Sequence, residues 1–141
     1  MQFDLDRFII AQEGIYADAL AELRSGRKRT HWMWFIFPQI DGLAMSATSR
    51  HFAIRSLAEA RAYLDHPILG PRLIECCKTL LALEGRSAAE IFGYPDDLKL
   101  RSSMTLFSIA DPAVAVFQSV LDKYFNGIPD ERTIDIVNKL G

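Results

Sequence analysis

Proline and glycine punctuate this chain at intervals that leave room only for short helices. Gly26, Pro38, Pro67, Gly70-Pro71, Gly85, Gly93, Pro95, Pro112, Gly127 and Pro129 each sit beside the start or the end of an apolar periodic segment. Proline lacks the amide that a helix interior needs, and glycine takes the left-handed conformation that closes a helix. Between the breaks, apolar side chains recur near a 3.6-residue period, as in Leu5, Phe8, Ile9, Ile15, Tyr16, Ala19, Leu20 and Leu23. That run predicts one helix over residues 4–25, capped by Asp4 or Asp6 and closed by Gly26. Capping boxes at Ser56–Glu59 and Ser87–Glu90 predict two more starts, with ends near His66-Pro67 and at Gly93. A helix with Pro71 at its first position should run to Gly85.

Further on, Asp96 or Asp97 caps a helix through Phe107, although Leu98, Leu100, Met104 and Leu106 fit an alternating pattern too. Asp111-Pro112 opens another that buries Val116, Phe117, Val120, Leu121 and Tyr124 and ends at Gly127. Pro129-Asp130 starts the last, with Ile134, Val137 and Leu140 inward. Links are short except over residues 38–55, and short links favour antiparallel neighbours. The expected architecture is all-α, a compact single-domain bundle of about six to seven short helices spanning residues 1–141.

Composition narrows the function classes. Half of the 141 residues are apolar or aromatic, enough for a core that needs no metal or disulfide. A net charge of -2 gives no global attraction to nucleic acid or acidic membranes. The two cysteines, Cys76 and Cys77, are adjacent and do not make a disulfide framework. Residues 1–6 have no basic or apolar signal-peptide character, and no apolar run reaches the ~20 residues of a membrane span, so a cytoplasmic protein is expected. His31, His51 and His66 are scattered, no Cys-x-x-Cys is present, and both glycine-rich phosphate loops are missing. No metal site and no cofactor is expected.

The densest feature is His31-Trp32-Met33-Trp34-Phe35-Ile36-Phe37-Pro38-Gln39, which holds both tryptophans. Thr30 can cap one or two helical turns here that Pro38 ends. One reading is a hydrophobic plug with its indole N–H groups bonded to nearby carbonyls. The other is a pocket walled by Trp32, Trp34 and Phe37, with His31 and Gln39 at its rim. Upstream, Arg24, Arg27, Lys28 and Arg29 complement a helix C-terminus, and this lone basic cluster is a weak nucleic-acid signal.

A second polar cluster comprises Asp96, Asp97, Lys99, Arg101, Ser102 and Ser103. Its members read either as caps, an ion pair and a close helix contact, or as a hydrogen-bonding patch for a polar ligand. The stretch from Asp41 to Arg50 is small and polar, and reads as a solvated connection or as a ligand-lining loop ending at Arg50 and His51.

Several strings together carry a resemblance. They are Thr30 to Gln39 with Gly42-Leu43, then Ser56 to Ala60, Tyr63 to Pro67 with Leu69-Gly70, and Ile91 to Leu100 with Ser102 to Phe107. In these the chain resembles a bacterial family of unknown function whose members often carry the label calpastatin. The resemblance spans essentially the whole chain, implies a compact helical fold and implies no established activity. The calpain inhibitor of that name is long, repetitive and disordered, whereas this chain is short, non-repetitive and rich in core residues.

The preferred expectation is a site for a small polar or phosphate-bearing ligand, formed where the tryptophan segment meets the Asp-Asp-x-Lys segment. Trp32, Trp34, Phe37, Gln39, Arg50, Lys99, Ser102 and Ser103 would contact the ligand. Were the chain an enzyme, His31 would be the general acid or base and Asp96 or Asp97 its orienting carboxylate. The alternative is a regulatory or protein-interaction module without catalysis, including a homodimer that covers exposed aromatics.

Overall fold

In the computed structural model, which describes residues 3–140, the apolar period of residues 4–25 is carried by two helices. α1 (Asp6–Gln12) and α2 (Tyr16–Arg24) part at Gly14, whose φ of 72° cannot continue a right-handed helix. Neither Asp4 nor Asp6 supplies the cap, since Leu5 occupies that position without a side-chain bond. After α2 come α3 (Met33–Ile36), α4 (Ala47–Phe52), α5 (Leu57–Asp65), α6 (Leu69–Ala82) and α7 (Ala88–Phe92). α8 (Asp96–Ala110), α9 (Val116–Phe125) and α10 (Glu131–Leu140) complete the set.

Among the described residues ten helices thus stand where about six to seven were expected, the excess lying in the split first helix and in short turns. α4 occupies part of the stretch read as irregular, because Ser46 accepts the Ser49 amide at 3.1 Å and starts a helix there. No helix is long and apolar enough to cross a membrane among the described residues.

Local signals placed some boundaries and missed others. Ser87 and Glu90 form the reciprocal capping box, and Gly93 follows the last residue of α7. At Ser56 only half of the box forms: Ser56 accepts the Glu59 amide, but Glu59 reaches past it to the Arg55 amide at 2.8 Å. α6 begins at Leu69, two residues before Pro71, because the His66 ring nitrogen accepts the Ile68 and Leu69 amides. It stops at Ala82, short of Gly85. Pro95 precedes α8, so Asp96 and Asp97 lie in its first turn instead of capping it. The helix continues past Phe107 to Ala110, while α9 starts at Val116, later than Pro112 suggested. Asp130 does open α10, its carboxylate accepting from the Thr133 amide and hydroxyl at 3.1 and 2.6 Å. Leu140 ends that helix at the surface, 57% exposed, instead of inward.

α8 is the hub, packed against α5, α7, α9 and α10. Leu100 and every residue from Ser102 to Phe107 are buried. A helix surrounded on all sides has no polar stripe, which explains why its period was ambiguous in sequence. The core rings Phe8, Tyr63, Phe107 and Phe117 follow one another at centroid distances of 5.1 to 5.6 Å. Gly70 lets α5 and α6 meet, since a Cβ there would lie 2.0 Å from the Leu64 carbonyl oxygen.

One excursion leaves this packing. Residues 41–53 depart and return through an isolated parallel bridge between Ile40 and Ile54, with the Asp41 amide on the Ile54 carbonyl and the Ile54 amide on the Gln39 carbonyl, both at 2.8 Å. Arg7 ties the return to α1: it pairs with Glu59 at 3.0 Å and donates to the His51 and Ala53 carbonyls.

Candidate functional site

The tryptophan segment is held from three directions. On one side Glu22 of α2 accepts the Arg29 amide at 2.6 Å, the Thr30 amide at 2.9 Å, the Thr30 hydroxyl at 2.6 Å and the Trp32 indole at 3.0 Å. Burial opposes the charge on this carboxylate, yet those donors outweigh it and hold the carboxyl down at about 2. Thr30 is therefore bonded to Glu22 and does not cap α3, whose capping position Trp32 occupies without a side-chain bond. On the second side buried Gln12 donates to the Phe35 carbonyl at 2.8 Å and is itself braced by Tyr63 and Arg72.

The third support comes from α8. Asp96 pairs with Lys28 at 2.9 Å and with Lys99 at 2.8 Å. Burial again works against its charge, and the two lysines still keep the carboxyl below its usual range. Lys99 in turn places its ammonium 4.3 Å from the centre of the Trp34 ring, and Lys28 lies 5.1 Å from that of Trp32. The tryptophan segment and the Asp-Asp-x-Lys segment meet through this chain of contacts.

Trp32 and Phe37 are 1% and 0% exposed and belong to the core, as the plug reading has it. Trp34 is different: it is only partly buried and forms a wall of a small, partly open cavity together with Gln39, Asp41, Ser49 and Phe52. The cavity offers about 10 Å³, room for a single water-sized atom. Gln39 is 7% exposed, and its Nε2 has no hydrogen-bond partner among the described residues. Gly42, at φ 106° and with Ile136 only 3.3 Å from where a Cβ would stand, turns the chain over this space. Asp41, Gly42 and Ala44 also border an open depression of about 450 Å³, whose other walls include Arg50 and Arg55.

The remaining residues singled out in sequence lie elsewhere. His31 is exposed, and no hydrogen bond or ion pair joins it to Asp96 or Asp97 among the described residues. Asp96 is occupied by its lysines, and Asp97 accepts the Leu98 amide at 2.9 Å. No direct contact among the described residues thus orients His31 against either aspartate. Ser102 is buried with its hydroxyl 3.1 Å from the Leu98 carbonyl and 3.2 Å from Asp130. Ser103 is 0% exposed with an unpartnered hydroxyl, enclosed in the core where no ligand from solvent reaches it. Cys76 and Cys77 are both buried, and burial pushes the Cys76 thiol up to about 12 and that of Cys77 well above its usual value. Burial thus disfavours the thiolate, the reactive form, at both positions. Among the described residues no three His, Cys, Asp or Glu side chains are grouped to hold a metal ion.

Sequence reasoning overlooked Glu22, Gln12 and Arg55. Each looks like an ordinary helix-surface or loop residue until its distant neighbours are known. The nearest local signal was the small, polar Asp41–Arg50 stretch, which does border both spaces.

Among known families, one described as protein of unknown function (DUF1810) matches residues 2–137. The crystal structure of the conserved hypothetical protein Rv1873 from Mycobacterium tuberculosis is similar over 96% of this chain and 97% of that one, at 52% identity and a TM-score of 0.95. Neither description carries the word calpastatin. No curated protein matches the chain.

Proposed function

The chain belongs to this family of proteins of unknown function (DUF1810), and from that premise we propose that it binds a small polar ligand at Trp34 and Gln39. One observation carries the reading: a glutamine amide that is 93% buried, by its 7% exposure, and unpartnered beside a cavity. A buried donor without an acceptor costs about 1–3 kcal/mol, and native structures retain few such groups without a reason. An oxygen atom of a ligand, entering a space that holds one such atom, removes that cost. The rest of the ligand lies in the adjoining depression, whose size suits a small molecule.

The Asp-Asp-x-Lys segment then works behind the wall and not at the ligand. Lys28, Asp96 and Lys99 fix the Trp34 ring, so that its plane is set before anything binds. With His31 unpaired to a carboxylate, recognition is better supported than general-base chemistry.

The test is a thermal-shift screen against nucleotides, nucleosides, sugars, sugar phosphates and amino-acid derivatives, repeated with Gln39→Leu. Gln39→Leu should fold, because it removes an unpartnered amide from a buried site. A true ligand at one hundred times its Kd stabilises the native chain by about 2.7 kcal/mol. The reading requires a hit whose shift disappears in Gln39→Leu. It fails if every hit is retained in that variant, or if no compound in the panel shifts the wild type; the protein-interaction alternative then stands.

A further inference from the structure

We infer that the ligand carries a phosphate group, held between Arg50 and Arg55 in the open depression, while an uncharged oxygen of the same molecule reaches Gln39. This inference rests on the ligand-binding reading above and adds the chemical class of the ligand.

The arginines of this region divide into two kinds. Arg7 is consumed by the fold: its guanidinium meets Glu59 and the carbonyls of Asp4, His51 and Ala53. Arg50 and Arg55 are exposed, and neither forms an ion pair among the described residues. Among the described residues the sole side-chain partner of Arg50 is the Met45 sulfur at 3.6 Å, a weak acceptor. Both border the same depression, so two arginines without an ion-pair partner among the described residues line one space. Guanidinium offers a planar fork of donors that matches the oxygens of a phosphate, a geometry that a lysine ammonium lacks.

Charge at the depression agrees. Asp41 is the one carboxylate among its lining residues, against two arginines. On the other side of Arg55 a neighbouring hollow is lined by Asp4, Arg7, His51 and Glu59, where Glu59 is already paired with Arg7. Taken together the two spaces set Arg7, Arg50 and Arg55 against Asp4, Asp41 and Glu59, so the positive excess belongs to the depression itself. Both arginines are also braced from behind. α4, which carries Arg50, is capped by Ser46, and the Arg55 amide is fixed by Glu59 at 2.8 Å.

The depression and the Gln39 cavity share Asp41, Gly42 and Ala44 as a common wall. The two spaces are thus adjacent, and one molecule that spans both has an anion position at the arginines and a hydrogen-bond position at Gln39. Its phosphate also explains why the inner space can be so small, since only a single atom has to enter it.

Titration calorimetry on the full chain with ribose 5-phosphate, ribose, adenosine monophosphate, adenosine and inorganic phosphate separates the possibilities. A phosphorylated probe should bind more tightly than its neutral counterpart, and less tightly as salt rises. Arg50→Met and Arg55→Met should each weaken it by about tenfold, the double variant should abolish the preference, and the neutral counterpart should be unaffected. Gln39→Leu should weaken phosphorylated and neutral probes alike.

If neutral probes bind in a Gln39-dependent way and phosphorylated ones bind no better, the phosphate inference falls and the ligand-binding reading survives. If inorganic phosphate binds as tightly as the esters and ignores Gln39→Leu, the two-position ligand is refuted. If the double arginine variant binds the esters like the wild type, the assignment to Arg50 and Arg55 is wrong.

Discussion

Replacing Glu22 by glutamine keeps the shape of the side chain that anchors the tryptophan segment and removes its charge. The carboxylate receives the two amides and the indole on Oε1 and the Thr30 hydroxyl on Oε2. Hydrogen bonds to a charged group contribute roughly 1.5–3 kcal/mol each, against about 1 for neutral ones, and bonds to one group do not add. The same hydrogen bonds lower the carboxyl from 4.5 to about 2. That drop corresponds to a ceiling of roughly 3 kcal/mol, which solvent screening at a partly exposed group reduces to about 2 kcal/mol. Glu22→Gln should therefore lose about 2 kcal/mol at pH 7, or on the order of 6 °C in Tm for a chain of this size.

The sign with pH is fixed, because a carboxyl depressed by folding stabilises the native state above its unfolded value. The advantage of the wild type is complete above about pH 4.5 and fades as the pH falls toward 2. Urea titrations of both proteins at pH 7, 5, 4 and 3, followed by tryptophan fluorescence, measure the gap directly. A gap under about 0.5 kcal/mol at pH 7 would refute the reasoning, since that is the scatter of ordinary surface substitutions. So would a gap that stays constant down to pH 3.

Two other substitutions probe the packing around the site. Gly70→Ala puts a methyl group 2.0 Å from the Leu64 carbonyl oxygen, where two backbones meet and neither can yield cheaply. A loss of about 3 kcal/mol or more is expected, seen as a large fall in Tm or in folded yield, and a Tm within ~2 °C of the wild type contradicts it. Ser103→Ala removes a buried hydroxyl that has no partner among the described residues, so stability measured by denaturant should stay level or rise by up to about 1 kcal/mol. A loss greater than about 1 kcal/mol would mean that the hydroxyl has a partner after all.

Much of the fold was legible because helix ends are local events. Ser87 with Glu90, Gly26 after α2, Gly93 after α7 and Asp130 before α10 act within four residues of themselves. Gly14 was equally local and was passed over because the apolar period runs on across it. The His66 ring that starts α6 left no readable mark, since a histidine before a proline suits a turn as well as a cap.

At the site, residue chemistry singled out Trp34 and Gln39, which line the small cavity, and Arg50, which lines the depression. It could not separate Trp34 from Trp32. Two residues apart on one short helix and its cap, they differ only in which neighbours α2, α7 and α8 bring to each ring. Arg7 and Arg55 were indistinguishable for the same reason, until Glu59 was found against one and open space against the other.

The amino-acid sequence alone determined that this chain is helical and approximately where it turns, because torsional preference, capping and apolar period act over a few residues. Tertiary structure alone decided which polar groups are paired and which are left over. A hydrogen bond or ion pair needs its partner within about 3–4 Å, and those partners arrive from elements far away in the chain. Glu22 is satisfied and Gln39 is not, and that difference arises only when the helices pack.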